Sequence, residues 1–413
     1  MGLFHVLAII ITLTAVFGYV NHRYFRLPIT IGVMTISLIF SLLLILLNGM
    51  IPGLDKSSQL LLDNINFDRA LLHGMLSFLL FAGALNINLQ DLAEHKYSIT
   101  SLATAGTLIS VFIIGISSWF LLGLFNVNLS LIYCLLFGAI ISPTDPIAVL
   151  SILKTAKAPK SLETKITGES LFNDGIGVVV FLVILEIATG THDLSSGHII
   201  ALFAREAAGG IIAGLVMGYI AFLMLKSVDN YQVEIMITLA LTTGGYALAD
   251  LLHISGPIAI VVAGLLVGNH GRLFAMSEKT RYHLDIFWEL MDEILNAVLF
   301  VMIGLEILVL TFDHEYLLLC FIIIPVVLLA RLISISIPIK LLSLFRSFTP
   351  GVIRIMTWGG LRGGISVALA LSLPASPERE LILLLTYSVV LFSILVQGLT
   401  IERLINKLCK KRG

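Results

Sequence analysis

The chain has 413 residues, of which 58% are hydrophobic and 12% are charged. An ordinary soluble domain carries about 25% charged residues, so this composition excludes one and indicates a polytopic, all-α membrane protein. The net charge of −1 does not indicate a class of partner, because the distribution of charge over the loops carries the information in a membrane chain.

Apolar segments that could cross about 30 Å of hydrocarbon, at a rise of about 1.5 Å per residue, are predicted along the whole chain. There are thirteen, at 3–20, 28–48, 69–86, 97–125, 130–153, 164–189, 198–226, 232–252, 256–269, 287–310, 316–345, 350–373 and 380–399. The run at 256–269 is short and begins with Gly256-Pro257. Without it, every later span would reverse its direction.

The basic residues of the loops predict the orientation. With the N-terminus outside, the inner connections carry most of them: Arg23, Arg26, Lys96, Lys154, Lys157, Lys160, Lys165, Lys226, Arg272, Lys279, Arg281, Arg346 and the tail residues Lys407, Lys410, Lys411 and Arg412. Outer connections carry only Lys56, Arg69 and Arg379. This positive-inside bias predicts an external N-terminus and a cytoplasmic C-terminus.

Two predicted spans are interrupted at comparable places. The fifth contains Ser142-Pro143-Thr144-Asp145-Pro146, and the twelfth contains Gly359-Gly360-Leu361-Arg362-Gly363-Gly364. Proline removes a backbone N–H and glycine exposes the backbone, so both spans should unwind near mid-membrane. Broken spans in matching positions of two halves are typical of secondary transporters with two inverted repeats, the broken helices crossing at mid-membrane. The seventh span would then link spans 1–6 to 8–13.

The sixth span carries polar residues at helical spacing. Ser170 and Asp174 share one face, while Glu169 and Asn173 occupy the neighbouring one. Carboxylates at this depth indicate a functional site. With backbone, hydroxyl and carboxylate oxygens from the unwound Thr144-Asp145 stretch, they would suit a dehydrated alkali cation. Alternatively, Asp145 could simply cap the helix that follows it.

Buried charges persist mainly when they are paired, so Glu169 and Arg362 are predicted to form an ion pair between the two halves. Arg331, inside the eleventh span, is expected to snorkel or to meet a carbonyl. No cofactor is predicted. The three cysteines, Cys134, Cys320 and Cys409, have no metal-like spacing.

Two further patterns leave alternatives open. Gly210, Gly214 and Gly218 form a stripe that could be a dimer seam or a close approach of two helices within one chain. A second pattern, at the inner end of the tenth span, is either a solvated helix end or an acidic funnel that concentrates cations. It comprises Glu289, Asp292, Glu293 and Asn296.

The chain resembles the NhaP/NHE-type sodium/proton antiporters of the monovalent cation:proton antiporter superfamily. The resemblance rests on three motifs in fixed order, Ser142-Pro143-Thr144-Asp145-Pro146, Gly168-Glu169-Ser170-Leu171-Phe172-Asn173-Asp174-Gly175 and Trp358-Gly359-Gly360-Leu361-Arg362-Gly363. It implies that Asp174 binds Na⁺ and protons alternately, with Ser170 and the Thr144 backbone as further ligands. Asn173 and Asp145 would then act from a greater distance.

The same resemblance implies a homodimer in the plasma membrane, the inner membrane of a bacterium. Residues 1–96 and 198–310 would supply mainly dimerisation spans, 97–197 and 311–400 the mobile core, and 401–413 a short basic cytoplasmic tail. The chain departs from some members in one respect. It reads Leu80-Phe81-Ala82-Gly83-Ala84 where they carry an acidic residue beside the ion site.

The predicted function is therefore electroneutral antiport of one cation, Na⁺ or in its place Li⁺, for one proton. Asn173 carries the prediction of electroneutrality, because by the resemblance an aspartate stands at this position in electrogenic relatives and an amide cannot titrate. The predicted partners are the cation, the proton and membrane lipid, with no nucleic acid. The alternatives are a K⁺/H⁺ antiporter of the same fold, a channel, an anion symporter and, remotely, an intramembrane aspartyl protease using Asp145 and Asp174.

Overall fold

The computed structural model describes residues 3–48, 74–146, 149–150, 152–153, 158–190, 196–308, 316–346 and 348–409. The principal helices, numbered in chain order, are α1 Leu3–Val20, α2 Ile29–Asn48, α3 Leu76–Leu85, α4 Leu89–Glu94, α5 Lys96–Ser101, α6 Thr107–Leu124, α7 Leu131–Ile141, α8 Lys160–Thr189, α9 Ser196–Lys226, α10 Tyr231–Leu251, α11 Gly256–Leu266, α12 Arg272–Phe274, α13 Glu278–Glu306, α14 Leu317–Ser343, α15 Val352–Trp358, α16 Gly364–Leu371, α17 Pro377–Phe392 and α18 Leu399–Cys409.

The all-α polytopic fold predicted from the sequence is confirmed. Each of the thirteen predicted spans overlaps at least one of these helices, and eight helical stretches in the described part of the chain are long and apolar enough to cross a membrane. The short run at 256–269 is one of them, because a π-helical turn continues α11 into α12 and extends the stretch to Phe274. The first residues of the predicted third span, 69–73, lie outside the described part.

Local sequence fixes where several helices begin. Ser255 Oγ accepts a hydrogen bond from Ile258 N, and Pro257 follows in the first turn of α11. Ser277 and Ser376 cap α13 and α17 in the same way. A side-chain oxygen at this position satisfies an N–H that has no partner within the helix. These caps therefore stabilise the first turns of α11, α13 and α17.

The two predicted interruptions are present. Helix α7 ends at Ile141, residues 143–146 are not helical, and residues 149–150 are helical. On the other side, α15 ends at Trp358 and α16 begins at Gly364. Between them, α8 runs for 30 residues without a break and carries the polar motif past both interruptions. The fold thus places two unwound segments against one continuous helix.

The glycine stripe of α9 packs within the chain. A Cβ built on Gly214 would lie 2.4 Å from Ala259 O and 2.8 Å from Val262 Cβ, and a Cβ on Gly210 would lie 2.9 Å from Ser255 O. Ala259 and Val262 belong to α11, and Ser255 is the residue that caps it. Of the two alternatives left open by the sequence, the structure supports the close approach of two helices of one chain.

In the described part of the chain, the buried apolar residues form two large clusters. One buried cluster surrounds Trp288 and consists of residues from α3, α9, α10, α11 and α13 with their connections, together with Leu171 of α8. A larger cluster surrounds the two breaks and draws on α6 to α8 and α14 to α18, with contributions from α1, α2 and α13. Leu171 is thus the member of the first cluster that comes from the helix bearing the polar motif.

Part of the predicted tail is packed structure. Residues 401–409 belong to α18, and the side chains of Ile401 and Ile405 are fully buried. The four-residue spacing puts both on one face, which contacts the region of α15. Residues 401–409 of the predicted tail are therefore helical and packed, and residues 410–413 lie outside the described part.

The glycine seam gives a test of this packing. Gly214→Ala should lower the thermal midpoint in detergent, because the added methyl group must displace the α11 backbone at Ala259. Gly244→Ala in α10 is the matched control, since no atom lies within 4 Å of a Cβ built there. Replacing a helical glycine by alanine otherwise stabilises by about 0.5–1 kcal/mol. Equal midpoints for the two variants would contradict a tight seam.

Candidate ion-binding site

The two unwound segments contact each other through their backbones. Asp145 N donates a hydrogen bond of 2.8 Å to Leu361 O, which forms an isolated antiparallel bridge. Thr144 and Leu361 are both buried there. Unwound backbone inside an apolar region must find partners in the protein, so each break supplies a partner to the other.

Arg362 stabilises the end of the facing half-helix. Its Nη1 donates to Ser142 O and Pro143 O, each at 3.2 Å, and its backbone N donates to Ser393 Oγ at 2.9 Å. The two carbonyls follow the last turn of α7, where the backbone oxygens have no helical partner and carry partial negative charge. A guanidinium in this position satisfies them and holds the two breaks together.

Asn173 ties the unwound segment to α8. Its Nδ2 donates to Thr144 Oγ1 and to Glu169 Oε1, both at 2.9 Å, and its Oδ1 accepts from Thr144 N at 3.3 Å. Thr144 Oγ1 also lies 3.3 Å from Ser170 Oγ. The structure therefore brings Thr144, Ser170 and Asn173 together, as the sequence predicts.

Glu169 is paired with Arg331 of α14. Nη1 and Nη2 of the arginine donate to the two carboxylate oxygens at 2.7 and 2.8 Å, a bidentate geometry between side chains that are 5% and 2% exposed. The predicted ion pair between Glu169 and Arg362 is wrong. Arg362 is occupied by backbone carbonyls, and Arg331 takes its place beside the glutamate.

The absence of a side chain at Gly360 allows Arg331 to lie beside Glu169. A Cβ built on Gly360 would lie 2.6 Å from Arg331 Nε, so the bare glycine leaves room for the guanidinium beside the second break. The expectation that Arg331 snorkels or meets a carbonyl is thus also wrong. The signal that could have found it is a lone arginine within the strongly apolar span Leu317–Ser343, because a charge in such a span requires a partner.

Asp174 differs from its neighbours. Its side chain is 8% exposed, and its carboxylate accepts no hydrogen bond from any residue that the structure describes. The carboxylates of Asp145 and Glu169 are its electrostatic neighbours. Arg331 neutralises Glu169, whereas Asp174 has no ion pair with any residue that the structure describes.

Asp145 lies at the start of α16. A Cβ built on Gly363 would lie 2.3 Å from Asp145 Oδ2, so the aspartate packs directly against the backbone at the second break. Its alternative role as a cap of the helix that follows it concerns residues 147 and 148, which lie outside the described part. The position of Asp145 supports the prediction that it acts near the site.

The third span approaches the site through apolar atoms. Ala82 is 2% exposed, and a Cβ on Gly83 would lie 3.7 Å from Leu171 Cδ1. The departure noted in the sequence thus places small residues where some relatives carry an acidic residue. Among the described residues, no group of three or more His, Cys, Asp and Glu side chains could hold a resident metal ion.

Broken helices crossing beside a continuous helix with a buried carboxylate define an all-α secondary transporter. Comparison with known proteins agrees. Residues 9–407 match the family described as "Sodium/hydrogen exchanger, transmembrane". The chain belongs to this family, which confirms the prediction of a transporter over an enzyme.

Particular relatives cover nearly the whole chain. The Na⁺/H⁺ antiporter NhaP of Pseudomonas aeruginosa is 52% identical over 406 residues, which are 97% of this chain and 96% of that protein. The Na⁺/H⁺ antiporter NhaH of Halobacillus aidingensis is 37% identical over 87% of this chain and 88% of its own. The structure of the sodium proton antiporter MjNhaP1 from Methanocaldococcus jannaschii, determined at pH 8, covers 100% of both chains with a TM-score of 0.77. At 20% identity it supports the fold alone.

A double-mutant cycle tests the ion pair. Removing one partner of a buried pair typically costs about 3–5 kcal/mol, so Glu169→Ala and Arg331→Ala should each lower the thermal midpoint markedly. The double variant should lose less than the sum, with a coupling of about 0.5–3 kcal/mol. The matched cycle of Glu169 with Arg362 should couple more weakly. Coupling of equal size in both cycles would contradict the pairing.

Proposed function

We propose that the protein exchanges a monovalent cation for a proton across the membrane, and that Asp174 carries both ions in turn. The cation is Na⁺ in preference to Li⁺. One observation carries this proposal, the buried Asp174 carboxylate without a hydrogen bond from the described residues. The printed names of the relatives, Na⁺/H⁺ antiporters, support the choice of substrates.

The chemistry of the neighbouring groups suits this exchange. Loss of water disfavours a bare carboxylate, so Asp174 needs either a proton or a cation to neutralise it. Ser170 Oγ and the oxygens of Thr144 lie on the same side of α8 and would complete a hard oxygen site for Na⁺. Because each ion satisfies the same group, one must leave before the other binds.

Asn173 and Arg331 limit the number of titrating groups. Asn173 donates to Thr144 and Glu169 through an amide that cannot bind a proton, and Arg331 keeps Glu169 in an ion pair. Asp174 is then the group that cycles. Each turnover would carry one positive charge in each direction, which makes the exchange electroneutral.

Alternating access would come from movement of residues 97–197 and 311–400 against residues 1–96 and 198–310, the latter forming the homodimer interface. The cluster around Trp288 supports this division. Leu171 is its one buried member among the described residues outside 76–96 and 198–310, and the partly buried Phe172 and Ile365 pack against it. The positive-inside distribution supports an external N-terminus and a cytoplasmic C-terminus in the bacterial inner membrane.

Asp174→Asn should abolish exchange and leave the protein folded, because the isosteric amide cannot be protonated and supplies no negative charge to hold the cation. Proteoliposomes with an internal pH dye, given Na⁺, Li⁺ or K⁺ in turn, measure this directly. Glu402→Gln is the control, because the side chain of Glu402 on α18 is exposed, and this variant should exchange as the wild type does. Cation-driven proton movement at the wild-type rate in Asp174→Asn would overturn the carrier role. A wild-type response to K⁺ alone would identify the K⁺/H⁺ alternative.

The exchange rate should not depend on the membrane potential if Asp174 alone cycles. The measurement uses vesicles with valinomycin and a potassium gradient, under conditions where K⁺ itself drives no proton movement. Inside-negative and inside-positive potentials should give the same initial rate and endpoint of Na⁺/H⁺ exchange. A rate or endpoint that follows the potential would show that a second group, such as Asp145, titrates in each cycle.

A further inference from the structure

One face of α13 is polar where it meets the crossing. Asp292, Asn296 and Leu299 lie at spacings of four and three residues, so they share that face. A Cβ built on Gly364 would lie 2.5 Å from Leu299 Cδ1, which places this face against the start of α16. The neighbouring Gly363 contacts Asp145 Oδ2. Asp292 and Asn296 therefore lie along α13 toward its N-terminal end, beside the two breaks.

The side-chain oxygen of Asn296 accepts no hydrogen bond from the described residues. Its side chain is 1% exposed, and its Nδ2 donates to Asp292 O at 2.8 Å and to Asp292 Oδ1 at 3.1 Å. Its Oδ1 is buried and has no hydrogen-bond partner among the described residues. This oxygen belongs to the amide whose nitrogen contacts the Asp292 carboxylate. A buried amide oxygen without a donor favours a ligand that offers positive charge.

The charges around Asp292 all have the same sign. Its electrostatic neighbours in the described part of the chain are the carboxylates of Asp145, Glu289 and Glu293. No lysine or arginine is among them, whereas Asp285, two turns earlier, is bound by Arg272. Like charges repel each other and attract cations from solution. The lone amide oxygen then adds a neutral ligand.

We propose that Asp292 and Asn296 form a second, weaker binding site for the monovalent cation, on the route between the N-terminal end of α13 and Asp174. A cation held by Asp292 and Asn296 Oδ1 would lie next to Asp145 and would pass from there to Asp174. This site rests on the proposed function for its role in transport, but its binding does not depend on exchange. By the positive-inside distribution, Lys279 and Arg281 place this entrance on the cytoplasmic side.

The proposed site at Asp292 and Asn296 belongs to a different group of spans from the site at Asp174. Asp292 and Asn296 lie within residues 198–310, whereas Asp145 and Asp174 lie within 97–197. If the two halves move against each other, the site would approach Asp145 in one state and leave it in the other. It would thus raise the local cation concentration for one access state only.

Binding can be measured without transport. The thermal midpoint of purified Asp174→Asn should rise when Na⁺ replaces choline at constant ionic strength, by less than in the wild type. In the double variant Asp174→Asn with Asp292→Asn, this rise should disappear. Asp174→Asn with Glu402→Gln is the matched control and should keep it. An equal rise in both double variants, or no rise in Asp174→Asn itself, would overturn the site.

Transport gives the second measurement. Asp292→Asn keeps the oxygen that accepts from Asn296 Nδ2, so the variant should fold. The half-saturating Na⁺ concentration should increase about tenfold when Na⁺ is supplied on the side of Lys279, with little change in the maximal rate. Na⁺ supplied on the other side should show a smaller increase. Equal increases from both sides, or none, would contradict the route. Absence of exchange in the wild type would instead reject the proposed function and leave the binding measurement valid.

Discussion

Unwound backbone inside an apolar chain must be satisfied by the protein itself, and the structure around the crossing follows from this constraint. The bridge between Asp145 N and Leu361 O joins the two breaks directly. Arg362 covers the carbonyls at the end of α7, and Asn173 covers Thr144 N from α8. Three separate stretches of sequence are therefore held in one place by hydrogen bonds that none of them could make alone.

The same network distributes charge unequally. The bidentate pair of Glu169 with Arg331 removes one negative charge from the crossing, and Asn173 contributes an amide where another carboxylate would have added one. Asp174 remains without a hydrogen bond from the described residues. A group left in this condition must take its neutralising charge from outside the protein. The proposed ion carrier is thus a consequence of how completely its neighbours are paired.

Glycine decides how closely the elements approach. Gly177 brings α8 against Pro143, since a Cβ there would lie 2.2 Å from the proline Cγ. Gly360 makes room for Arg331, and Gly363 for Asp145. Away from the site, glycines of α9 likewise allow the close approach of α11. Because side chains at these positions would separate the elements, the geometry of the polar groups depends on residues that carry no chemistry.

The sequence by itself determined the class of protein, the two breaks and the polar face of α8, because hydrophobic runs, helix-breaking residues and helical spacing are local properties of the chain. It also identified Thr144, Ser170 and Asn173 as neighbours, since two short motifs carry them. It predicted the wrong arginine as the partner of Glu169, and it decided neither whether the stripe of α9 packs inside the chain nor that α18 packs on the core. The sequence points to Arg362 because this residue lies in a second motif at a predicted depth similar to that of Glu169. Only the packing of α14 against Gly360, and of Arg362 against the end of α7, distinguishes the two arginines, because ion pairing depends on distances between segments that are far apart in the chain.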